Sequence, residues 1–216
     1  AVPHDWAIAG PFDKKWDLQM VAIEQNGEKE KTEKSGRSGA LPWIGEGMYK
    51  MNLLLPKGYK RAVLVFDGAM SQPVVSVNGK EAGRWAYGYN AFRIDITPYV
   101  KFGGKKNLVE VHLNNVEESS RWYPGGGLYR PVSVELYGNE NFSTWDTFVR
   151  TLKADKQEAE VEVNALLEGK IGKSGKTVIA LLDEAGTKVA EQTISGAAPA
   201  IKTTLKVANP QLWSPE

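Results

Sequence analysis

The chain has 216 residues, of which 27 are Lys or Arg and 26 are Asp or Glu, so its formal net charge at pH 7 is +1. This balance removes the electrostatic basis for binding nucleic acid or an anionic membrane surface, and no apolar run approaches the ~20 residues that span a bilayer. The absence of cysteine excludes disulfides, thiolate nucleophiles and cysteine-ligated metals, and we expect no cofactor.

The first forty residues carry few structural signals. The pattern over residues 16–23 allows a helical turn, and residues 24–40 are mostly Glu, Lys, Gly and Ser. Such a composition buries too little apolar surface to order itself. We therefore expect a mobile loop over residues 24–40.

Beyond residue 47, short apolar runs alternate with turn residues at regular spacing, which is typical of a β-sandwich. The predicted strands of this segment are 49–55, 61–66, 74–77, 91–96, 108–113 and 132–136. Asn78-Gly79 predicts a hairpin between 74–77 and the 81–85 run, because both central positions of a type I′ turn need positive φ. On turn chemistry alone, Asn78 is a turn residue.

A second domain is predicted after residue 140, where the strand pattern breaks and the aromatic content falls. We assign residues 1–140 and 141–216 to separate domains. Strands of the second domain are predicted at 145–152, 159–167, 177–182, 189–194 and 201–207, with a hairpin loop at 183–186. Alternation over residues 159–163 predicts one strand face in a core and the other in water.

The segment Ser120-Arg121-Trp122-Tyr123-Pro124-Gly125-Gly126-Gly127-Leu128-Tyr129-Arg130 carries the strongest functional signal. An aromatic ring packs on the apolar face of a pyranose, whose hydroxyls need fixed donors and acceptors. Consecutive glycines let the backbone approach a ligand or another domain closely, because they lack Cβ. This signature segment therefore predicts sugar recognition.

The signature segment resembles the Ser-Arg-Trp-Tyr-Pro-Gly-x-Gly-Ile-Tyr-Arg motif of family-two glycoside hydrolases, the β-galactosidase and β-glucuronidase group. Further motifs are similar to the same family and follow in its order. They are Val2-Pro3-His4-Asp5-Trp6, Gly10-Pro11-Phe12, residues 36–42, Gly47-Met48-Tyr49-Lys50, Phe66-Asp67-Gly68, Val77-Asn78-Gly79, Gly88-Tyr89-Asn90-Ala91-Phe92, Asp95-Ile96-Thr97 and Leu212-Trp213-Ser214-Pro215-Glu216. Each motif is weak alone, but together they are highly specific and cover the whole chain.

The resemblance implies an all-β chain, with a jelly-roll sugar-binding domain over residues 1–140 and an immunoglobulin-like β-sandwich over 141–216. An immunoglobulin-type sandwich has about seven strands, so we expect the second domain to be C-terminally truncated, with part of its inner face uncovered. The parent implied by the resemblance is a retaining exo-β-glycosidase, β-galactosidase first and β-glucuronidase or β-mannosidase as alternatives. Its two catalytic glutamates would lie on a barrel domain C-terminal to these modules.

Three substrate-binding residues are implied by the same resemblance. Asn78 matches a family asparagine that contacts a sugar hydroxyl, which stands beside its interpretation as a turn residue. Arg121 would donate to hydroxyls or hold a barrel carboxylate, and Trp122 would wall the pocket. An ordinary domain interface is the alternative for Arg121 and Trp122. A packing role is predicted for Tyr123, Tyr129 and Arg130.

No catalytic group is predicted within the chain. His4 and His112 lie far apart without a nucleophile motif, and both are interpreted as structural. Glycoside hydrolysis normally needs two converging carboxyl groups. Glu117 and Glu118 are adjacent, so on an extended segment they point to opposite faces and cannot converge on one bond.

Two functional alternatives stay open. The chain could be a stand-alone carbohydrate-binding module, whose aromatic platform would come from Trp6, Trp43, Trp85 and Trp122. It could instead be a structural scaffold that supports a barrel and shapes an oligomer interface. The expected partners are carbohydrate, the chain's own barrel domain and a second copy of the chain in a homo-oligomer. A start at Ala1 rather than Met slightly favours a periplasmic or secreted protein with a removed export signal.

Overall fold

The computed structural model of the protein describes residues 1–13, 18–25, 28–35, 43–116, 125–172, 174–196 and 198–215. Residue contacts divide the chain into two compact units, Ala1–Leu136 and Tyr137–Glu216. The sequence predicts this boundary near residue 140, four residues further along the chain. Strands dominate both units, and none of the helices in the described residues is long and apolar enough to cross a membrane.

The first unit is an antiparallel β-sandwich built from a four-stranded and a three-stranded sheet. Its elements are β1 (His4–Asp5), α1 (Trp6–Ala9), β2 (Leu18–Gln25), β3 (Glu28–Ser35), β4 (Gly45–Leu54), β5 (Arg61–Phe66), β6 (Val74–Val77), β7 (Lys80–Arg84), β8 (Phe92–Asp95), β9 (Lys106–Asn115), β10 (Gly127–Leu128) and β11 (Val132–Tyr137), with a 3-10 turn at Thr97–Tyr99. The sheet orders are β4-β9-β6-β7 and β11-β5-β8, and β1 pairs with β10.

The core of the first unit lies where apolar side chains of both sheets meet. Along β9, Val109, Val111 and Leu113 are buried, while Glu110 and His112 between them point outward, as the alternation predicted. From the other sheet, β5 contributes a continuous buried run that ends at Phe66. The predicted strands 61–66 and 74–77 have the observed bounds, and the ends of the others differ by four residues or fewer.

The predictions over residues 16–40 were wrong wherever the structure describes that stretch. Strands β2 and β3 pair antiparallel from Leu18↔Ser35 to Gln25↔Glu28, in place of a helical turn and a loop. Composition misled because backbone hydrogen bonds, which any residue except proline can donate, hold a two-stranded ribbon together. The sequence signal that should have outweighed composition is Asn26-Gly27, which separates the two strands in the chain. Residues 36–40 lie outside the described residues.

The second unit is also antiparallel. Its strands are β12 (Glu140–Phe142), β13 (Phe148–Ala154), β14 (Glu158–Gly169), β15 (Lys176–Leu182), β16 (Lys188–Ser195) and β17 (Ala200–Ala208). Strand β14 is central, with β12 and β13 along one edge and β17 along the other, and β15 and β16 form a hairpin. The hairpin loop predicted at 183–186 is confirmed by the hydrogen bond from the Thr187 amide to Asp183 Oδ1, at 2.7 Å.

One residue of the second unit departs from the predicted alternation. Glu162 was expected to face water, but its side chain is buried. Arg150 Nε lies 2.9 Å and Lys202 Nζ lies 3.1 Å from its carboxylate oxygens. The long side chains of the two neighbouring strands therefore cover the carboxylate on the outer face of the sheet.

Candidate sugar-binding site

The described end of the signature segment is joined to the start of the chain. The amide of Trp6 donates to the carbonyl of Gly126 at 3.1 Å, and the amide of Gly126 donates to Asp5 Oδ1 at 3.1 Å. The same Asp5 oxygen accepts from the Ala7 amide at 3.0 Å and so caps the single turn of α1. One carboxylate thus fixes both the helix start and the glycine run.

The glycines in this segment are needed for close packing. Gly127 has φ of 99°, and a Cβ there would lie 2.7 Å from the His4 carbonyl and against the Tyr49 hydroxyl. At Gly126 a Cβ would lie 2.9 Å from the indole nitrogen of Trp6. The close approach that the glycine run predicted is therefore to the domain's own N-terminal segment, at the residues that the structure describes.

Tyr49 completes the junction from β4. Its hydroxyl donates to the His4 carbonyl at 3.0 Å and lies 2.8 Å from Nδ1 of the His4 ring, while the Leu128 amide donates to it at 3.4 Å. Burial of the hydroxyl raises the pKa of Tyr49 above its usual value, so the phenol stays protonated as a donor. The structural role predicted for His4 agrees with these contacts.

The other side of the signature segment is held by the end of β9. Asn115 is buried, and its Nδ2 donates to the Gly125 carbonyl at 2.8 Å. Backbone amides and carbonyls of Met70 and Gly127 also exchange two hydrogen bonds of 2.9 Å each. The described part of the signature segment therefore lies at one end of the sandwich, which we call the signature end.

The last two residues of the segment are braced by neighbouring loops. The Tyr129 hydroxyl donates to the Gly88 carbonyl at 2.8 Å. Nη1 of Arg130 lies 3.3 Å from the carbonyls of both Asp67 and Tyr89, and the guanidinium carbon is 5.3 Å from the centre of the Tyr129 ring. These contacts agree with the packing role predicted for both residues. Tyr123 lies outside the described residues.

Asn78 is fully engaged within the domain. It has φ of 52° and Gly79 has φ of 79°, which confirms the predicted hairpin turn. Its Nδ2 donates to the Tyr99 carbonyl at 2.8 Å and to Asn107 Oδ1 at 3.0 Å, and its Oδ1 accepts from the Leu108 amide at 3.0 Å. Both polar atoms of the Asn78 side chain therefore have partners within the domain.

The structure separates Asn78 from the described part of the signature segment. Asn78 is bonded to Leu108 near the start of β9, whereas Gly125 is bonded to Asn115 at its end. Seven residues of extended strand span about 20 Å. Asn78 and the described part of the signature segment, which begins at Gly125, are therefore too far apart to line the same pocket. Arg121 and Trp122 lie outside the described residues, as do Glu117 and Glu118.

Each histidine contacts a side chain of strand β4 within the first unit. His112 Nε2 lies 3.2 Å from Glu46 Oε2 on the outer face of the four-stranded sheet, in line with its predicted structural role. Among the residues that the structure describes, no group of three or more His, Asp or Glu side chains is placed to hold a metal ion.

A cavity of about 500 Å³ opens between the two sheets of the first unit. Among described residues its lining is mostly apolar, and its polar residues are His4, Tyr49 and Lys50. Its apolar lining residues include Leu53, Leu64, Phe66, Val109, Val111, Leu128 and Val134. Such a lining suits apolar side chains better than a hydroxylated sugar, which needs convergent donors and acceptors.

Comparisons with known proteins follow the whole chain. The β-galactosidase BoGH2A of Bacteroides ovatus is 33% identical over 223 residues, covering 98% of this chain and 24% of that protein. A β-glucuronidase of Bacteroides fragilis is 30% identical over 191 residues, covering 79% of this chain and 27% of that protein. No protein-family model matches the sequence.

Solved structures give the same result. A glycosyl hydrolase family 2 member from Bacteroides cellulosilyticus matches with a TM-score of 0.73 at 30% identity, covering 99% of this chain and 28% of that one. A β-glucuronidase of the same family shares the fold with a TM-score of 0.74 at 23% identity, covering 99% of this chain and 24% of that one.

The sheet architecture, the sequence of the signature segment and the relatives together define the class of this chain. It is an all-β region similar to part of a β-glycosidase. The chain belongs to glycoside hydrolase family 2. It spans about a quarter of the length of the curated relatives it matches.

Proposed function

We propose that this chain is the non-catalytic part of a retaining exo-β-glycosidase, β-galactosidase-like, that removes terminal sugars from carbohydrates. Its two units would support the catalytic barrel and contribute to the wall of the active site. The names of the relatives support the substrate class, and the share of each relative that the chain spans supports a non-catalytic role. The acid and the nucleophile would both come from the remainder of the longer protein.

The observation that carries this proposal is the match of nearly the whole chain to about a quarter of each family 2 relative. The hydrogen bond from Asn115 to Gly125 joins two described residues on either side of the stretch of sequence with Arg121 and Trp122. We propose that Arg121 and Trp122 contact the substrate.

The first experiment compares the 216-residue chain with the complete product of its coding sequence. Both are assayed with aryl β-D-galactoside and aryl β-D-glucuronide, and the anomer formed first is identified by proton NMR. We expect no turnover by the chain alone. We expect the longer product to hydrolyse the substrate with retention of the anomeric configuration. Hydrolysis by the chain alone, or a coding sequence that ends at residue 216, would contradict it.

The residue assignments are tested in the active longer product. Arg121→Ala and Trp122→Ala are each expected to lower kcat/KM, because each removes a sugar contact. The expected loss of transition-state stabilisation is about 1–3 kcal/mol for each variant. Trp145→Ala is the matched control, since this ring is exposed in the second unit. Equal kcat/KM in all three variants would assign Arg121 and Trp122 to a domain interface.

A scaffold role is the second candidate for the Asn78 turn, and the engagement of its amide by Tyr99, Asn107 and Leu108 favours it. Under a scaffold role, Asn78→Ala lowers Tm and leaves turnover per folded active site unchanged. Under the sugar-contact role, the same change lowers kcat/KM, with a loss of about 1–3 kcal/mol of transition-state stabilisation. Measuring Tm and kcat/KM on one preparation separates the two.

A further inference from the structure

The two sheets of the first unit close on one side and leave a cavity on the other. Strands β7 and β8 lie on the closed side, where a Cβ added to Gly83 would lie 3.2 Å from Ile94 Cγ2. Strands β4 and β11 stand at the opposite ends of the two described sheet orders. Both of these strands line the cavity of about 500 Å³. We call this space the β4–β11 cavity.

Met51 marks where the β4–β11 cavity meets solvent. Alternation along β4 turns Tyr49, Met51 and Leu53 to one face of the strand. Leu53 is buried and Tyr49 packs against the core, but Met51 between them is 59% exposed and lines the cavity. A core-facing methionine with this exposure lies at an opening, so a small molecule has a path by which to enter.

The deeper walls of the cavity are apolar. Leu64 and Phe66 of β5 line it from one sheet, and Val109 and Val111 of β9 line it from the other. A water molecule that occupies a cavity needs two to four polar partners, and these four side chains offer none. Apolar cavities stay dry and take up apolar molecules instead.

The size of the cavity is that of a ligand site. Protein cores contain few voids larger than one water molecule, which takes about 30 Å³ of the liquid. Pockets for small molecules have volumes of about 300–1,000 Å³, and the cavity falls within that range. Its volume therefore suits an alkyl chain of medium length.

The polar residues of the described lining come from β4 and the start of the chain. The Tyr49 hydroxyl donates to the His4 carbonyl. Lys50 Nζ lies 2.7 Å from Glu110 Oε1, and its side chain is 58% exposed. An ammonium has three donors, so Lys50 can bind Glu110 and a ligand oxygen together. This distribution of polar groups matches a molecule that is polar at one end only.

We infer that the β4–β11 cavity binds an aliphatic molecule with a single oxygen acceptor at one end. The alkyl chain packs among Leu64, Phe66 and Val111, and the oxygen accepts from Lys50 at the opening. A sugar does not suit the cavity, because its hydroxyls would lose water without gaining partners. The inference goes beyond the proposed function, since the ligand is not a carbohydrate and its binding requires no turnover.

The test is a titration of the 216-residue chain with N-phenyl-1-naphthylamine, a dye whose fluorescence rises in apolar surroundings. 1-Octanol, which has the proposed chemistry, is then added as a competitor. We expect the dye to bind and 1-octanol to displace it, while methyl β-D-galactopyranoside leaves the signal unchanged. Amide shift changes on addition of 1-octanol are expected in β4, β9 and β11.

Val134→Trp is the diagnostic variant, because Val134 is a half-buried cavity residue on the edge strand β11. The larger ring occupies part of the cavity and leaves the buried residues of β5 and β9 unchanged. The affinity for 1-octanol is expected to fall about tenfold or more. Val132→Trp changes a second half-buried lining residue on the same face of β11 and should have the same effect.

Val149→Trp is the matched control. Val149 is 56% exposed on β13 of the second unit and lies outside the lining of the cavity. The affinity of this variant for 1-octanol should equal that of the unsubstituted chain. Lys50→Ala tests the polar end of the ligand, and its affinity for 1-octanol should fall about threefold because one hydrogen bond is lost.

Circular dichroism of each variant establishes that it is folded before binding is compared. The inference is overturned if the folded, unsubstituted chain does not bind the dye or if 1-octanol does not displace it, since other residues of the chain would then fill the space. It is also overturned if Val134→Trp and Val149→Trp bind 1-octanol equally well, or if the shift changes lie in residues 137–216. Unchanged affinity in Lys50→Ala would refute the assignment of the polar end.

Discussion

Asn78 Nδ2 donates a hydrogen bond of 3.0 Å to Oδ1 of Asn107, a residue whose exposed fraction is 0%. The Asn107 Oδ1 also accepts from the Lys101 amide at 2.7 Å, and its Nδ2 donates to the Lys101 carbonyl at 2.9 Å. A surface turn, a loop and the start of β9 are thereby joined through one buried amide. Buried polar networks stabilise a fold when each member has its partners.

Asn107→Ala is expected to lower the free energy of unfolding by about 3 kcal/mol, because several hydrogen bonds are lost and buried partners stay unsatisfied. Urea unfolding followed by circular dichroism measures the change. Asn52→Ala is the matched control, since Asn52 is exposed on the neighbouring strand and should cost less than about 0.5 kcal/mol. Similar midpoints for both variants would show that the Asn107 network contributes little.

Replacing Asn78 separates backbone strain from hydrogen bonding. Both Asn78→Ala and Asn78→Gly lose the side-chain bonds to Tyr99, Asn107 and Leu108. Of the two replacements, glycine adopts φ of 52° with less strain, so the alanine variant should be less stable by a further ~1 kcal/mol. The comparison needs only the two unfolding midpoints, and equal midpoints would contradict a strained turn.

The sequence predicted what local pattern controls. Alternation identified β9, because burial on one side of a strand repeats every two residues, and Asn78-Gly79 identified the hairpin because its φ requirement is local. Composition failed at β2 and β3, where backbone pairing outweighs the polar character of residues 24–35. The Asn26-Gly27 pair between the two strands is the sequence signal that indicates this ribbon.

The buried hydrogen bonds at the two ends of the first unit could not be predicted. Asn115 and Asn107 are buried by the strand's neighbours, yet asparagine in a sequence indicates a turn or a solvated position. Their partners, Gly125 and Lys101, are set by tertiary packing. Asp5 likewise reaches Gly126 across 121 residues of sequence. Such pairs carry no periodic signal, so only the three-dimensional structure shows them.

Gly127→Ala tests the packing of the signature segment on the N-terminal segment. Its positive φ alone would cost about 1 kcal/mol, and the added Cβ would also meet the His4 carbonyl and the Tyr49 hydroxyl. We expect a total loss of about 3 kcal/mol or more. Gly104→Ala provides the control, because Gly104 has φ of 74° with no atom near the added Cβ. If the two variants unfold at the same denaturant concentration, the close packing at Gly127 is refuted.

Glu162 should make the stability of the second unit depend on pH. The Asn164 amide, then Lys202 and Arg150, lower its pKa from 4.5 to about 2. Because the folded state favours the carboxylate, the stabilisation is present above pH 4.5 and is lost as pH falls from 4.5 towards 2.

Glu162→Gln removes this dependence while keeping the shape of the side chain. The variant is expected to be less stable than the unsubstituted chain at pH 7, and the difference should shrink as pH falls through the range from 4.5 to about 2. Unfolding curves recorded across this range measure the difference, with Glu184→Gln in the exposed 183–186 loop as the control. A difference that stays constant down to pH 2 would mean that the ion pairs with Arg150 and Lys202 do not stabilise the fold.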